Sequence, residues 1–295
     1  MCPQNVGHSA TGRFGLSDYK ANGNRWLSKS NVHQEFNMKT IILAGGLGTR
    51  LAEETHVKPK PMVEIGGKPI LWHIMKIYGS QGFNEFYTAL GYKSEVIKDF
   101  FANYYQRQNN LRIETSSGQV QVQENEHTQN EDWIVNLIET GKLTNTGGRI
   151  KRMKSWVGNE TFMMTYGDGV ANVDIDALIK FHKSQGRLAT VSAVRPPARF
   201  GGISFENGIV KEFIEKPQIG EGWINGGFFV LEPGIFDYIE NDDTSFEKES
   251  LEKLAQDGQL AAYQHNGFWQ CMDTIRDVAL VNSLWESGDA PWKSW

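Results

Sequence analysis

Two short apolar runs, each followed by a glycine-containing turn, place the strongest constraint on the fold of this chain. Residues 40–44 lead directly into the stretch GGLGTR, and residues 161–165 lead into YGDG. A short apolar run that stops at glycines is typical of a buried parallel strand that opens onto a binding loop. The two runs therefore predict a parallel sheet with a ligand site at the carboxyl ends of its strands.

Segments with helical and with strand character alternate along the rest of the chain. Ile70, Ile74 and Ile77 recur at helical spacing after Pro69, and a strand predicted at residues 86–90 precedes a second helical pattern. This alternation indicates βαβ units. We predict an α/β, Rossmann-like three-layer fold with a mixed, mainly parallel central sheet and a C-terminal sheet-and-helix extension. Further strands are expected at residues 133–139, 161–165, 189–194, 228–231 and 261–264. Hairpins are expected over residues 111–123 and 203–213, the latter turning at Asn207-Gly208. Helices are expected from Gly147 or Gly148, near residues 178–181, from Phe246 and near residues 278–285.

The amino-acid balance limits the classes of partner. Thirty Lys and Arg residues against 35 Asp and Glu give a formal charge of −5, so we expect no nucleic-acid or membrane partner, and any anion site must be local. No run approaches 18 apolar residues, and the first 37 residues lack the apolar region of a secretory signal. Cys2 and Cys271 form no CxxC pair, which indicates a reducing compartment. We therefore expect a cytoplasmic protein without a zinc or disulfide framework.

The chain divides at Met38, which stands just before the first convincing strand. Residues 1–37 are rich in Asn, Ser, Gly and Gln and show little apolar periodicity. We predict a disordered extension there, or an artefact of start assignment, with a partner-binding arm as the alternative. Residues 38–295 are predicted to form the functional domain.

The stretch from Gly45 to Met62 is suited to an anionic ligand. Successive glycines let backbone N–H groups turn toward phosphates without a Cβ atom in the way. The stretch lacks the GxxxxGK[ST] order of a P-loop and the third glycine of a dinucleotide-binding fingerprint. Glycines alone are equally compatible with a turn that binds nothing, but Arg50 and Lys60 favour a phosphate site. Lys58 is expected to be a surface charge.

A longer pattern identifies the family that the chain resembles. Gly45-Gly46-Leu47-Gly48-Thr49-Arg50 followed by Lys58-Pro59-Lys60-Pro61-Met62 resembles the signature of the sugar-1-phosphate nucleotidyltransferases. The resemblance spans nearly everything from Met38 onward, through Tyr166-Gly167-Asp168-Gly169, Glu215-Lys216-Pro217, Asn225-Gly226-Gly227 and Met272-Asp273-Thr274. Longer stretches, such as INGGFFVLEP and GFWQCMDTIRD, are most similar to the members of this family that use CTP and glucose 1-phosphate.

The resemblance implies an activity and its partners. A cytidylyl group would pass from CTP to α-D-glucose 1-phosphate, giving CDP-glucose and pyrophosphate, by in-line attack of the sugar phosphate on the α-phosphorus. A phosphate monoester has a second pKa of about 6 and is already largely dianionic near neutrality, so no general base is needed. UTP, another nucleoside triphosphate or another hexose 1-phosphate remain alternatives, as does a non-catalytic nucleotide-sugar sensor of the same fold. The family further implies a homo-oligomer.

The resemblance also assigns roles to individual residues. Arg50 and Lys60 would be catalytic, with Arg50 on the β- and γ-phosphates and Lys60 on the α-phosphate. Asp168 and Asp273 would hold Mg²⁺, which prefers one or two protein carboxylates, although an isolated Asp in a glycine-rich turn commonly has only a structural role. The nucleotide would be bound by Leu43, Ala44, Gly45, Gly46, Gly48, Thr49, Gly147 and Arg149. The sugar phosphate would be bound by Gly201, Glu215, Lys216, Asn225 and Gly226.

Overall fold

A computed structural model of the chain describes residues 38–125, 131–196, 202–206, 209–214 and 222–295. None of the helices in these ranges is long and apolar enough to cross a membrane. The predicted extension at residues 1–37 and the turn at Asn207-Gly208 lie outside the described residues.

The strands are β1 Thr40–Ala44, β2 Glu64–Ile65, β3 Lys68–Pro69, β4 Glu85–Leu90, β5 Asn110–Glu114, β6 Gln119–Gln123, β7 Ile134–Glu139, β8 Phe162–Tyr166, β9 Gly169–Ala171, β10 Ala189–Val194, β11 Gly202–Glu206, β12 Ile209–Ile214, β13 Ile224–Asn225, β14 Phe229–Leu231, β15 Leu260–His265 and β16 Trp269–Cys271. The α-helices are α1 Ala52–Thr55, α2 Ile70–Gly79, α3 Ser94–Ala102, α4 Tyr104–Gln108, α5 Thr146–Arg152, α6 Lys154–Val157, α7 Ile175–Gln185, α8 Leu251–Gln256 and α9 Ile275–Glu286.

Eight strands form one central sheet. Strands β8, β1, β4 and β7 are adjacent in that order and mutually parallel. Strand β14 continues the sheet antiparallel to both β8 and β10, and β15 pairs in parallel with the far edge of β10. The short strand β13 pairs with the end of β10. The predicted mixed, mainly parallel sheet is therefore confirmed.

Helices cover the two faces of this sheet. Successive side chains of a strand point to opposite faces. In β1, Ile42 and Ala44 accordingly join a core that includes α2, α3 and α7, whereas Ile41 and Leu43 join a core that includes α5, α6 and α8. The two cores on opposite faces confirm the predicted three-layer arrangement, and they hold the carboxyl end of β1 between them.

The predicted elements match the observed ones closely, with shifts that have local causes. Helix α5 begins at Thr146, one or two residues before the predicted start at Gly147 or Gly148, because the Asn145 side chain accepts the Thr146 N–H and caps the helix. The helix predicted from Phe246 begins with a π-helical turn, Phe246–Ser250, before α8. The antiparallel ribbon of β9 and β16 was not predicted, because three-residue strands carry too little periodicity.

Candidate active site

A cleft of about 340 Å³ opens at the carboxyl ends of β1 and β8, the place that the two apolar runs predict. This volume lies in the usual range for small-ligand sites. One wall is the glycine-rich loop after β1, and another is the turn after β8 that carries Asp168. The lining residues are Leu43, Ala44, Gly45, Gly46, Gly48, Thr49, Arg50, Lys60, Pro61, Thr144, Asn145, Thr146, Arg149, Tyr166, Gly167 and Asp168.

Two of the loop glycines are required by their surroundings. Gly48 has a φ angle of 66°, which side chains rarely adopt, and a Cβ atom there would lie 2.8 Å from the Thr55 methyl group. A Cβ atom on Gly45 would lie 2.2 Å from a guanidinium nitrogen of Arg149. The backbone conformation therefore favours glycine at position 48, and a side chain at position 45 would displace the buried Arg149 guanidinium, whereas Gly46 has open space beside it.

Lys60 lies at the centre of the charged groups. It is the first residue of a 3-10 turn, Lys60–Met62, and is 8% exposed. Its ammonium donates to Asp168 Oδ2 at 2.6 Å and to Asp273 Oδ1 at 2.5 Å. Arg50 donates to the other oxygen of Asp273 at 2.7 Å. The structure thus brings together the four residues predicted to be catalytic or metal-binding.

The β9–β16 ribbon accounts for the position of Asp273. Cys271 pairs with Gly169 across the ribbon, and the Met272 N–H donates to the Asp168 carbonyl at 2.9 Å. Asp277, in the first turn of α9, accepts the Asp273 N–H at 3.1 Å. Backbone contacts therefore hold the two aspartates side by side, although they come from distant segments.

Burial and ion pairing act on Lys60 and Asp273 in opposite directions. Burial alone would lower the pKa of Lys60, but the charge and hydrogen bond of Asp168, together with those of Asp273, raise it above its ordinary value of 10.5. Burial alone would raise the pKa of Asp273, but the hydrogen bond and charge of Lys60, and then the charge of Arg50, hold it below 3.8. Both side chains are therefore charged at neutral pH.

The donor set fits a divalent cation of the hard, oxygen-binding kind. Asp168 and Asp273 already share one cation, the Lys60 ammonium, so their carboxylates converge on one point. Over the ranges that the structure describes, no group of three or more His, Cys, Asp or Glu residues could hold a metal. A metal bound by these two carboxylates would compete with the Lys60 ammonium for them and would draw its other ligands from substrate and water, as Mg²⁺ commonly does.

Arg149 lines the cleft, but its guanidinium is engaged by the protein. It is 4% exposed and donates to the carbonyls of Gly45, Leu90 and Gly141 at 2.9, 3.0 and 2.7 Å, and to the Thr140 hydroxyl at 2.8 Å. These acceptors lie at or just beyond the ends of β1, β4 and β7. Burial, and then the charge of Arg152, lowers the pKa of Arg149. Its observed contacts join three loops at the carboxyl edge of the sheet.

Replacing Arg149 by Met should therefore destabilise the fold. The substitution leaves several buried acceptors without a donor, and we expect the free energy of unfolding to fall by about 3 kcal/mol. Urea unfolding followed by circular dichroism measures this change. The matched control is Arg152→Met on the same helix, where an exposed side chain pairs with Asp242 on the surface. Equal effects of the two substitutions would contradict the structural role of Arg149.

Gly147 packs against the protein, and its predicted contact with the nucleotide stays a prediction. Its N–H donates to the Thr244 carbonyl at 2.9 Å, and a Cβ atom would lie 2.7 Å from the same oxygen. Gly148 is likewise pressed against the backbone of Asp242, at 2.5 Å from a Cβ position. The glycines thus permit close packing of α5 on the loop at residues 241–244, and the neighbouring Thr146 lines the cleft.

Of the residues predicted to bind the sugar phosphate, the structure describes Asn225 and Gly226. The Asn225 side chain donates to the Tyr166 hydroxyl at 3.0 Å and accepts the Gly227 N–H at 2.9 Å. A Cβ atom on Gly226 would lie 2.4 Å from Val194, so packing within the sheet already requires glycine there. Gly201, Glu215 and Lys216 lie outside the described residues, and their roles stay predictions.

Sequence reasoning missed several residues of the cleft. Thr144, Asn145 and Thr146 line the cleft just before Gly147 and Arg149, the two residues of this segment that were predicted to bind the nucleotide, but they were not singled out. Tyr166 directly precedes the Gly-Asp turn, and this position was a usable signal. Glu247, whose carboxylate accepts from Tyr166 and Thr146, had no signal, because it reaches the site only through folding.

Fold, cleft and charged cluster together define a nucleotidyltransferase-type site. A glycine-rich loop at the end of a parallel strand, two cations and two convergent carboxylates suit transfer between phosphate groups. The family model described as nucleotidyl transferase matches residues 39–290. The chain belongs to this family.

Individual members of the family and a solved structure are similar to this chain over most of its length. The chain is 52% identical over 259 residues to glucose-1-phosphate cytidylyltransferase of Salmonella typhi, covering 88% of this chain and 100% of the relative. It is 48% identical, with the same coverage, to the probable glucose-1-phosphate cytidylyltransferase of Bacillus subtilis strain 168. Among solved structures, HddC from Yersinia pseudotuberculosis superposes with a TM-score of 0.62 at 25% identity, over 84% of this chain and 99% of HddC.

Proposed function

We propose that the protein transfers a cytidylyl group from CTP to α-D-glucose 1-phosphate, releasing pyrophosphate and forming CDP-glucose. The observation that carries this proposal is that Lys60, Arg50 and Asp168, which line the cleft, converge on Asp273. The names of the relatives that share about half of its residues supply the nucleotide and the sugar phosphate.

Lys60 is proposed to stabilise the α-phosphate as it changes partners. Its ammonium lies at the cleft with little exposure to water, and the raised pKa keeps it protonated. Negative charge on the oxygens around phosphorus is redistributed during displacement, and a fixed cation there lowers the barrier. The sugar phosphate attacks phosphorus, so the C1–O bond of the sugar is retained.

Arg50 is proposed to bind the departing pyrophosphate. It follows Gly48 and Thr49 in the loop, and its side chain is largely exposed beyond its contact with Asp273. A planar guanidinium can hold two phosphate oxygens at once. The exposed position allows the side chain to leave Asp273 and follow the β- and γ-phosphates.

A divalent cation would complete this charge arrangement. Lys60 and Arg50 carry two positive charges and Asp168 and Asp273 carry two negative ones, so the four groups alone give no net attraction for a triphosphate. Members of this family generally use a divalent metal. We propose Mg²⁺, held by Asp168 and Asp273, which would supply charge neutralisation at the phosphates. Lys60 and Arg50 would then keep uncompensated charges for the substrate.

We expect purified protein with Mg²⁺ to prefer CTP among the four common nucleoside triphosphates. With glucose 1-phosphate, kcat/KM for CTP should exceed that for UTP by at least about tenfold, which corresponds to about 1.4 kcal/mol. Pyrophosphate release and CDP-glucose formation, followed in parallel, measure this preference. Galactose and mannose 1-phosphates serve as matched sugar controls.

Two results would redirect this assignment. Equal or faster turnover with UTP would replace the cytidylyl proposal with another member of the same reaction class. Tight binding of CTP with Mg²⁺ but no pyrophosphate release for any sugar phosphate would favour a nucleotide-sugar sensor. Formation of a homo-oligomer is a separate proposal, and light scattering of the purified protein tests it.

A further inference from the structure

A hydrogen-bonded chain runs behind the cleft from the predicted sugar side to the nucleotide side. Asn225 donates to the Tyr166 hydroxyl at 3.0 Å, and this hydroxyl donates to Glu247 Oε1 at 2.8 Å. The other oxygen of Glu247 accepts from the Thr146 hydroxyl at 2.6 Å and from Ser245 at 3.1 Å. Tyr166 and Thr146 both line the cleft, whereas Glu247 reaches it only through them.

The chemistry of the groups sets the direction of each bond. An ionised carboxylate can only accept, so Tyr166 and Thr146 must both donate to Glu247. The single proton of the Tyr166 hydroxyl is then used, and its lone pairs accept from Asn225. The Gly227 N–H donates to Asn225 Oδ1 at 2.9 Å, which fixes the orientation of the amide.

We infer that Glu247 is a positioning residue that orients Asn225 for the sugar phosphate through Tyr166, and the first turn of α5 for the nucleotide through Thr146. The inference rests on the proposed function, since it names the groups that shape its two substrate sites. Glu247 lies in the π-helical turn before α8, outside every motif that the family resemblance uses. Its effect on binding therefore passes through hydroxyl groups on two walls of one cleft.

Replacing Glu247 by Gln should selectively break the hydrogen bond between residue 247 and Tyr166. An amide carries only one acceptor oxygen. We expect this oxygen to point toward the Thr146 and Ser245 hydroxyls, because they supply two donors. The amide nitrogen then faces Tyr166, whose hydroxyl can no longer donate there. The Tyr166 hydroxyl, which accepts from Asn225, thereby loses the bond that fixes its orientation, while Thr146 and Ser245 keep their acceptor.

The test measures binding and turnover separately. For Glu247→Gln, KM and the calorimetric Kd for glucose 1-phosphate should rise about five- to tenfold, with those for CTP and Mg²⁺ changed less than about twofold. Tyr166→Phe should have the same selective effect. The double variant should match either single variant within about twofold, because both substitutions remove the same Tyr166–Glu247 hydrogen bond. Glu247→Ala should raise the values for both substrates. Glu249→Gln, an exposed carboxylate of the same π-helical turn, should change neither.

Several outcomes would overturn the inference. Unchanged glucose 1-phosphate binding in Glu247→Gln would show that the chain does not position Asn225. Equal loss of both affinities together with a lowered Tm would assign Glu247 a purely structural role, and additive effects in the double variant would separate Glu247 from Tyr166. If wild-type protein turns over no substrate pair, the proposed function fails, and the calorimetric Kd values still decide the role of Glu247. If Glu247→Ala does not fold, Glu247→Gln and Tyr166→Phe carry the test.

Discussion

Replacing Lys60 by Met is expected to lower kcat by about a hundredfold, with the fold retained. The substitution keeps the length of the side chain and removes a cation that lies between Asp168 and Asp273 and is 8% exposed. A charge at such a site stabilises the transition state far more than a solvated charge would. Because the two carboxylates remain, the Mg²⁺ concentration for half-maximal activity should not increase.

Lys58→Met is the matched control for this prediction. Lys58 lies two residues away and pairs with Glu54 at 3.8 Å and with Glu64 at 3.6 Å on the surface. Surface pairs of this kind contribute little, so turnover should stay within about twofold of the wild type. Steady-state kinetics of both variants, with circular dichroism to check folding, make the comparison. A Lys60→Met enzyme with near-normal kcat would remove Lys60 from the catalytic residues.

Replacing Asp273 by Asn should lower turnover to a similar degree for a different reason. Asparagine has nearly the same size but no charge, and Mg²⁺ strongly prefers carboxylate ligands. The backbone contacts that place residue 273 are made by Met272 and Asp277 and do not use its side chain. We therefore expect folding to persist, kcat to fall about a hundredfold, and the Mg²⁺ requirement to rise at least about tenfold.

The Mg²⁺ titration separates the two roles that Asp273 could have. If kcat falls while the Mg²⁺ requirement is unchanged, Asp273 serves only to hold Lys60 and Arg50, and the proposed metal site is wrong. Asp176→Asn removes the same charge from the exposed first turn of α7, outside the cleft. This control should leave both kcat and the Mg²⁺ requirement unchanged.

Much of the fold was predictable because its signals are local. Strands β1 and β10 match the predicted bounds, and the helical spacing of Ile70, Ile74 and Ile77 matches α2. These patterns arise from the period of the side chains along one element, which neighbouring residues alone determine. The β9–β16 ribbon was missed, since its three-residue strands are stable only when paired with each other.

The site was predictable in its residue types more than in its contacts. The sequence singled out Arg50, Lys60, Asp168 and Asp273, and the structure brings them together. It also predicts nucleotide contacts for Arg149 and Gly147, which stay predictions; in the structure their donors bind main-chain carbonyls. A buried arginine and a ligand-binding arginine look alike in a sequence, because burial depends on the loops that surround the side chain.

The sequence by itself determined the parallel strands, the glycine turns at their ends and the charges available for phosphate chemistry. Only the tertiary structure decided which of those charges meet. Lys60 and Asp273 are 213 residues apart along the chain, yet their side chains are in contact. No local preference specifies such a pair, because it depends on the packing of the sheet and on the backbone ribbon that places Asp273 beside Asp168. Glu247 follows the same rule, since it joins two walls of the cleft only after the chain has folded.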